Sequence, residues 1–283
     1  MQDKNYTIRT MSRKEVDIAI EWAAMEGWNP GLHDAGCYYS ADPNGFLIGL
    51  LGDEPVATIA AIKYSESFGF LGFYIVKPGY RGKGYGIQIW NAGLKYLQDR
   101  NIGLDGVVAQ QDNYKKHGFK LAYRNIRYQG IGGGNPYNNP EITELCTLPF
   151  GTIDSYDRPF FPANRSQFIK SWIIQPECHA LGIMQNGALS GYGVMRTCRS
   201  GYKIGPLFAN SPALAESLFL ALKSRVKPSE PVFLDTPEVN QSAVALAERY
   251  NMKVSFETAR MYTGKAPDMP LDRLFGVTSF ETG

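Results

Sequence analysis

Between Val76 and Gly86 the chain reads VKPGYRGKGYG, and no other segment of its 283 residues restricts the fold as much. It follows an apolar run, FGFLGFYIV from Phe68 to Val76, and leads into a stretch that places Ile87, Trp90, Leu94 and Leu97 on one helical face. The segment therefore predicts strand, tight turn and helix. Glycines at 82, 84 and 86 let the backbone pass close to a ligand with no Cβ in the way. Free amides of the turn and of the first helical turn then converge on one spot, where the helix dipole adds partial positive charge. Such a nest suits a pyrophosphate, with Arg81 and Lys83 adding charge at its rim. Pro78 removes a backbone donor just after the strand, so pairing cannot continue past it. The open strand edge can bond an amide-bearing ligand instead.

Two other phosphate-binding turns do not fit. A P-loop needs GxxxxGK[ST], and no lysine followed by serine or threonine comes after these glycines. A dinucleotide turn needs GxGxxG inside a βαβ unit. Here the glycines alternate as GxGxG, and the preceding runs FLIGLLG and VATIAAIKY, joined at Gly52-Asp53-Glu54-Pro55, form an antiparallel hairpin.

The elements around this segment occur twice. Ser12 to Glu26 predicts a helix with a Ser12–Glu15 capping box, closed by Gly27 and the WNPG turn. After the hairpin, strand and glycine-rich turn come a buried strand LDGVVA, a short helix NYKKHGF and a last strand KLAYRNIRYQGI. IGGGNPYNN, from Ile131 to Asn139, is expected to be a linker or exposed turn. A helix from about Arg165 to Ile174 and a hairpin turning at Asn186-Gly187 follow. KIGPLFA, a helix from Pro212 to Val226, VFLDTP, NQSAVALAERYNM and KVSFETARMY complete the series. Helix, hairpin, strand, helix, strand, helix, strand in duplicate predicts two α+β domains, 1–139 and 140–283.

Composition narrows the function. A formal charge of +2 with both signs interspersed offers no basic stripe for nucleic acid. No apolar run approaches the roughly 18 residues that span a bilayer, and MQDKNYTIRT lacks a signal-peptide core, so a cytoplasmic location is the expectation. Four scattered cysteines (37, 146, 178, 198) and three isolated histidines predict reduced, structural thiols and no metal.

The pattern V-x-P-x-x-R-G-x-G-x-G between strand and helix resembles motif A of the GCN5-related N-acetyltransferases, the GNAT superfamily. That resemblance implies acetyl-CoA as acyl donor and a mixed, mostly antiparallel sheet flanked by helices in each domain. It places Arg81, Gly82, Lys83, Gly84, Tyr85 and Gly86 around the pyrophosphate. Ile75 and Val76 would offer backbone to pantetheine and thioester, with the Val76 amide as oxyanion donor. NYKKHGF resembles motif B of the family, which makes Tyr114 the general acid for the departing thiolate and puts Asn113 beside the cofactor. The alternative for Tyr114 is a packing aromatic on a short helix, and His117 reads as an exposed helix end.

The whole chain resembles the tandem acetyltransferases whose second half is a YitH/HolE-type domain, through IGPLFAN, LDTPEVN, ETARMY and FGVTSFETG. Its second half departs from motif A, since IGPLFANSPALA puts Leu207 and Phe208 where bare glycines would stand. That half is expected to bind no cofactor and to wall the acceptor site. The acceptor is expected to be a primary amine of a small molecule, with protein lysine transfer and acyl-CoA sensing without turnover as rivals. The family's glutamate on the motif A strand has no counterpart in FGFLGFYIV, so the general base is unassigned. Asp34, Asp105 or an ordered water could serve, although Asp34 reads better as a loop or cap carboxylate. Trp28 and Asn29 could meet substrate or merely form a turn. Asp157, Arg158 and Arg165 read as local ion pairs rather than cleft residues. Oligomeric state is left open.

Overall fold

The computed structural model describes residues 6–134 and 137–283. The first half runs β1 (Tyr6–Thr10), α1 (Val16–Met25), α2 (Asp34–Ala41), β2 (Phe46–Leu51), β3 (Glu54–Lys63), β4 (Phe68–Val76), α3 (Tyr85–Tyr96), β5 (Asn101–Val107), α4 (Gln111–Lys116) and β6 (Lys120–Ile131). The second runs β7 (Ile142–Glu144), α5 (Phe150–Asp157), α6 (Ser166–Trp172), β8 (Cys178–Gln185), β9 (Ala188–Thr197), β10 (Tyr202–Ala209), α7 (Pro212–Lys223), β11 (Pro231–Pro237), α8 (Gln241–Arg249), β12 (Lys253–Tyr262) and β13 (Leu274–Gly276). The duplicated order of elements is present.

Local chemistry explains most boundaries. The amide and hydroxyl of Ser12 both donate to Glu15, at 2.8 and 2.9 Å, which supports the entry to α1. Asn186 and Gly187 both adopt left-handed backbone, as a two-residue turn between β8 and β9 requires. β1, α2, β7, α5 and β13 were not anticipated. β7 has only three residues, and α2 (DAGCYYSA) buries residues without a clear apolar stripe: Asp34, Ala35, Cys37 and Tyr38 are all inside.

The strands join one 13-stranded, mostly antiparallel sheet in the order β1-β2-β3-β4-β5-β12-β6-β11-β10-β9-β8-β7, with β13 beside β10. The two halves exchange their last strands. β6 lies between β11 and β12, antiparallel to both, while β12 lies against β5. Helices flank the sheet, and one apolar cluster crosses the halves, joining Tyr38 and Phe73 to Phe168, Trp172 and Phe208.

Parallel pairing occurs at two places. β4 pairs with β5 from Phe68 to Leu71 and then parts from it. β10 pairs with β11 over Tyr202–Ile204 and parts in the same way. The last residues, 277–283, run buried between the two halves.

The segment from Ile131 to Asn139 is not simply an exposed turn. Gly132 and Gly133 are buried, and their amides donate to the Glu230 and Lys223 carbonyls at 2.8 and 3.1 Å. Asn135 and Pro136 lie outside the described residues, as do the first five residues of MQDKNYTIRT.

Candidate active site

The parting of β4 from β5 has a visible cause. Phe73 takes a left-handed φ of 47°, and the register of β4 on β3 shifts between Gly72 and Ile75. The Thr58 hydroxyl holds this bulge by donating to the Phe73 carbonyl at 2.9 Å. Beyond it, the Lys77 amide bonds the Val56 carbonyl, and Val76 faces Ala57. By the alternation of an antiparallel ladder, Val76 therefore turns its own amide and carbonyl away from β3, toward the opened side. Its carbonyl accepts from Arg81 Nε there, at 2.8 Å.

The turn then rises into α3. Gly82 and Gly84 have φ of 75° and 86°, and a Cβ on either would meet nothing within 4 Å. Open space lies over bare backbone at both positions. Gly84 precedes α3 without any side-chain cap, so the first amides of that helix are left for a ligand or water. Gly86 differs, because a Cβ there would lie 2.7 Å from the Tyr74 hydroxyl.

These parts border a cavity of about 690 Å³. Ile75, Val76, Arg81, Gly82, Gly84, Gly86 and Tyr114 line it, as does Trp28 of the WNPG turn. Three further expected site residues do not. Lys83 sets Nζ 5.3 Å from the Tyr80 ring, and Tyr85 packs its ring between Tyr6 and Tyr80. Asn113 donates to Gln110 at 2.7 Å on the exposed face of α4. Arg81 is shared with the Glu26 carboxylate as well as the Val76 carbonyl.

Tyr114 stands over β5, 5.6 Å from the Trp90 ring, where Gly106 leaves it room. A Cβ at Gly106 would fall 2.2 Å from Tyr114 Cε2. Burial, helped by Tyr74, pushes its phenol up to about 12, so it keeps its proton at neutral pH. His117 is exposed at the end of α4.

The carboxylates considered as bases are committed elsewhere. Asp34 is fully buried and accepts from Arg196 Nε, the Gly31 amide and the Tyr38 hydroxyl. Asp105 borders the cavity but holds Arg260 through both oxygens and Asn125 through one. Asp157 and Arg165 form a buried two-point ion pair, and Arg158 bonds Asp154.

Beyond first-half residues near the turn and β5, four cavity residues not singled out by the sequence are Phe256 and Thr258 of β12, and Phe280 and Glu281 of the final segment. They come from the second half, across the strand exchange. Periodicity marks KVSFETARMY as a strand but carries no sign of which strand it joins.

The second half's counterpart of the opened edge is closed. Where β10 leaves β11, β13 pairs with β10 at Leu207 and Phe208, and the Val277 amide donates to the Asp235 carbonyl at 2.8 Å. The N-terminus of α7 is capped by the Ser211 hydroxyl, which accepts from the Leu214 amide. Among the described residues no group of three or more His, Cys, Asp or Glu could hold a metal ion, and no helix is long and apolar enough to cross a membrane.

Comparison with known proteins agrees with this geometry. Residues 14–119 match the pattern of the "Acetyltransferase (GNAT) family", and residues 153–276 match that of the "Acetyltransferase (GNAT) domain". The chain is 29% identical over 282 residues to holothin acyltransferase of Pseudoalteromonas sp. (strain SANK 73390), covering 100% of this chain and 96% of that one. It is 26% identical over 197 residues to the uncharacterized protein F36G3.2 of Caenorhabditis elegans, covering 62% and 61%. In fold it resembles a putative acetyltransferase from Pyrococcus horikoshii, with a TM-score of 0.83, 22% identity and coverage of 99% and 96%. It also resembles a tandem GNAT protein from the clavulanic acid biosynthesis pathway, with a TM-score of 0.64, 13% identity and coverage of 93% and 100%.

Proposed function

The chain belongs to the acetyltransferase (GNAT) family, and from that premise we propose that it moves an acetyl group from acetyl-CoA to the primary amine of a small molecule. Two domains of the family stand in tandem, and the chain is an acyltransferase. The observation that carries the finer reading is the convergence of three features on one cavity. These are the bare left-handed glycines of the turn, the unpaired edge of β4 and the protonated phenol of Tyr114.

Each residue then has a task. The amides from Arg81 to Gly86 hold the pyrophosphate at the start of α3, Lys83 and Tyr85 contributing backbone rather than side chain. Val76 presents backbone along the pantetheine arm, in the manner of an added strand, while Ile75, facing Thr58 of β3, lines the arm without offering its own amide and carbonyl. The Val76 amide, turned from β3, donates to the thioester oxygen as it becomes an oxyanion. Tyr114 gives its proton to the departing thiolate. Asn113 stands outside this set. The second domain is cofactor-free and supplies a wall of the acceptor pocket.

A small acceptor suits the enclosure. Trp28, Phe256 and Phe280 from both halves border the cavity. The named activity of the Pseudoalteromonas relative is acyl transfer, in keeping with turnover rather than acyl-CoA sensing alone. The test is release of free thiol from acetyl-CoA by the full chain with tryptamine, spermidine, lysine or kanamycin as acceptor. Release above the amine-free rate with at least one of them is expected. Tight binding of acetyl-CoA without release from any would leave the sensor reading in its place.

A further inference from the structure

Glu281 differs from the deeply buried acids around it. Asp34, Asp105, Asp157 and Asp235 each hold an arginine within 2.8 Å. Glu281 is only 4% exposed, yet among the described residues just two hydroxyls reach its carboxylate. Ser279 donates to Oε2 at 2.8 Å, and the Tyr38 hydroxyl, whose single proton is shared with Asp34, lies 3.2 Å from the same oxygen. Oε1 accepts nothing, and the residue borders the cavity that holds Val76 and Tyr114. An ionised carboxylate removed from water without a counter-charge in contact is costly unless a cationic partner completes it.

The position is built rather than incidental. The Ser279 hydroxyl accepts from the amides of Glu281 and Thr282, at 3.0 and 3.2 Å. Tyr64 donates to the Thr282 carbonyl, and Arg165 to the Thr278 hydroxyl. Burial pushes the Glu281 carboxyl up, but Lys203, Arg127, Ser279 and Arg196 together hold it below the usual carboxylate range. None of those cations forms an ion pair with it, although both terminal nitrogens of Arg196 are buried without a hydrogen-bond partner among the described residues. Lys203 is bonded to the Asn29 carbonyl, Arg127 to Asp235 and Arg196 to Asp34. A residue bordering the cavity in which an amine must lose a proton thus carries a charged carboxylate with one oxygen uncommitted.

We infer that Glu281 is the carboxylate that receives the acceptor's ammonium group and takes its proton before attack on the thioester. This rests on the amine-acetylation reading above. An N–H bond of the ammonium breaks and its proton passes to Oε1. Within a desolvated ion pair the charged forms lose their advantage, which draws the affinities of amine and carboxylate for the proton together. The neutral nitrogen then forms the C–N bond while the carbonyl electrons move to oxygen at the Val76 amide. On collapse the C–S bond breaks and the thiolate takes the Tyr114 proton, which a proton from the new C–N nitrogen replaces. The proton on Glu281 leaves to solvent, so amide, free thiol and one proton balance the ammonium and the thioester.

The experiment compares the full-length parent with Glu281→Gln, using whichever of tryptamine, spermidine, lysine and kanamycin the parent acetylates fastest, and hydroxylamine in parallel. Hydroxylamine is largely uncharged at neutral pH and needs no proton removed before attack. With the amine, kcat/KM should fall by about 10²–10⁴-fold. With hydroxylamine the rate should be nearly preserved, and acetyl-CoA affinity by calorimetry should be unchanged. Equal turnover of the amine by variant and parent would overturn the role of Glu281 and leave the transfer reading standing. Equal losses with amine and hydroxylamine, or lost acetyl-CoA binding, would make Glu281 structural and overturn the inference. Should Glu281→Gln not fold, Glu281→Asp keeps the charge but withdraws it by a methylene. A folded Glu281→Asp with the parent's rate would equally overturn it. A parent that releases thiol with none of the four amines would sink the transfer reading and this inference with it.

Discussion

Gly72 and Glu281 are in contact so close that position 72 admits no side chain: a Cβ there would lie 1.8 Å from the Glu281 carbonyl oxygen. The final segment therefore rests directly on the backbone of β4, at the point where that strand leaves β5. Gly205, the corresponding residue of β10, would place a Cβ 2.5 Å from the Val277 carbonyl oxygen. One buried segment thus leans on both opened strands in turn, and two glycines make the approach possible.

Gly72→Ala should accordingly push the final segment off β4. Overpacking of this kind costs about 1–3 kcal/mol, so the thermal midpoint should drop by several degrees. Amine turnover should fall with it, because Glu281 and Phe280 would shift, while acetyl-CoA affinity should change little. A variant with the parent's thermal midpoint and turnover would show that the segment does not need that contact.

Part of this was legible in the sequence. VKPGYRGKGYG announced strand, turn and helix because a glycine at alternate positions is a local requirement, met within eleven residues. The exchange of β6 and β12 is not local. Both alternate as strands should, but period 2 says nothing about which neighbour a strand will take. The acid absent from FGFLGFYIV could not be replaced by inspection either. Glu281 stands about 205 residues beyond Val76 and reaches the cavity only because β13 and the final segment fold back between the halves. Asp105 is eligible by sequence alone, but Arg260, a residue of the exchanged strand, holds both of its oxygens.

Gly84→Val tests the turn. At φ 86° a non-glycine residue is itself strained, at roughly 1–2 kcal/mol, so some loss of stability is expected. The larger effect should be on acetyl-CoA, since the new branch projects into the open space over the amides. Gly79→Ala is the control, being close in sequence but outside the cavity and with an ordinary φ. Calorimetry should show acetyl-CoA binding nearly lost in the first and kept in the second. A folded Gly84→Val that binds as the parent does would refute the nest.

Tyr114→Phe keeps the ring against Trp90 and Gly106 and removes only the proton donor. Turnover should fall by about 10²–10⁴-fold with little change in acetyl-CoA affinity, as loss of general acid catalysis implies. The pH profile adds a second reading. An acid must be protonated to act, and Tyr114 holds its proton until about 12, so its loss should not limit the parent at pH 10, where an ordinary tyrosine is half ionised. A parent whose rate falls away near pH 10 because of this residue, or a Tyr114→Phe variant with an undiminished chemical step, would remove Tyr114 from the mechanism.

Stoichiometry tests the division of labour between the domains. Each full chain should bind one acetyl-CoA, although it carries two domains of one family. In the first domain the edge of β4 is unpaired and the turn beyond it is bare. In the second, β13 occupies the edge of β10, Leu207 and Phe208 are fully buried beneath it, and the Ser211 hydroxyl already satisfies an amide of α7. A pantetheine arm would have to displace β13, and a pyrophosphate would arrive where no comparable nest of bare amides awaits it. Calorimetric titration of the full chain should therefore give a single class of site at one equivalent, and Gly84→Val should abolish that class rather than halve the signal. A second equivalent surviving in Gly84→Val would show that the second domain opens its edge to the ligand and that β13 is a removable strand.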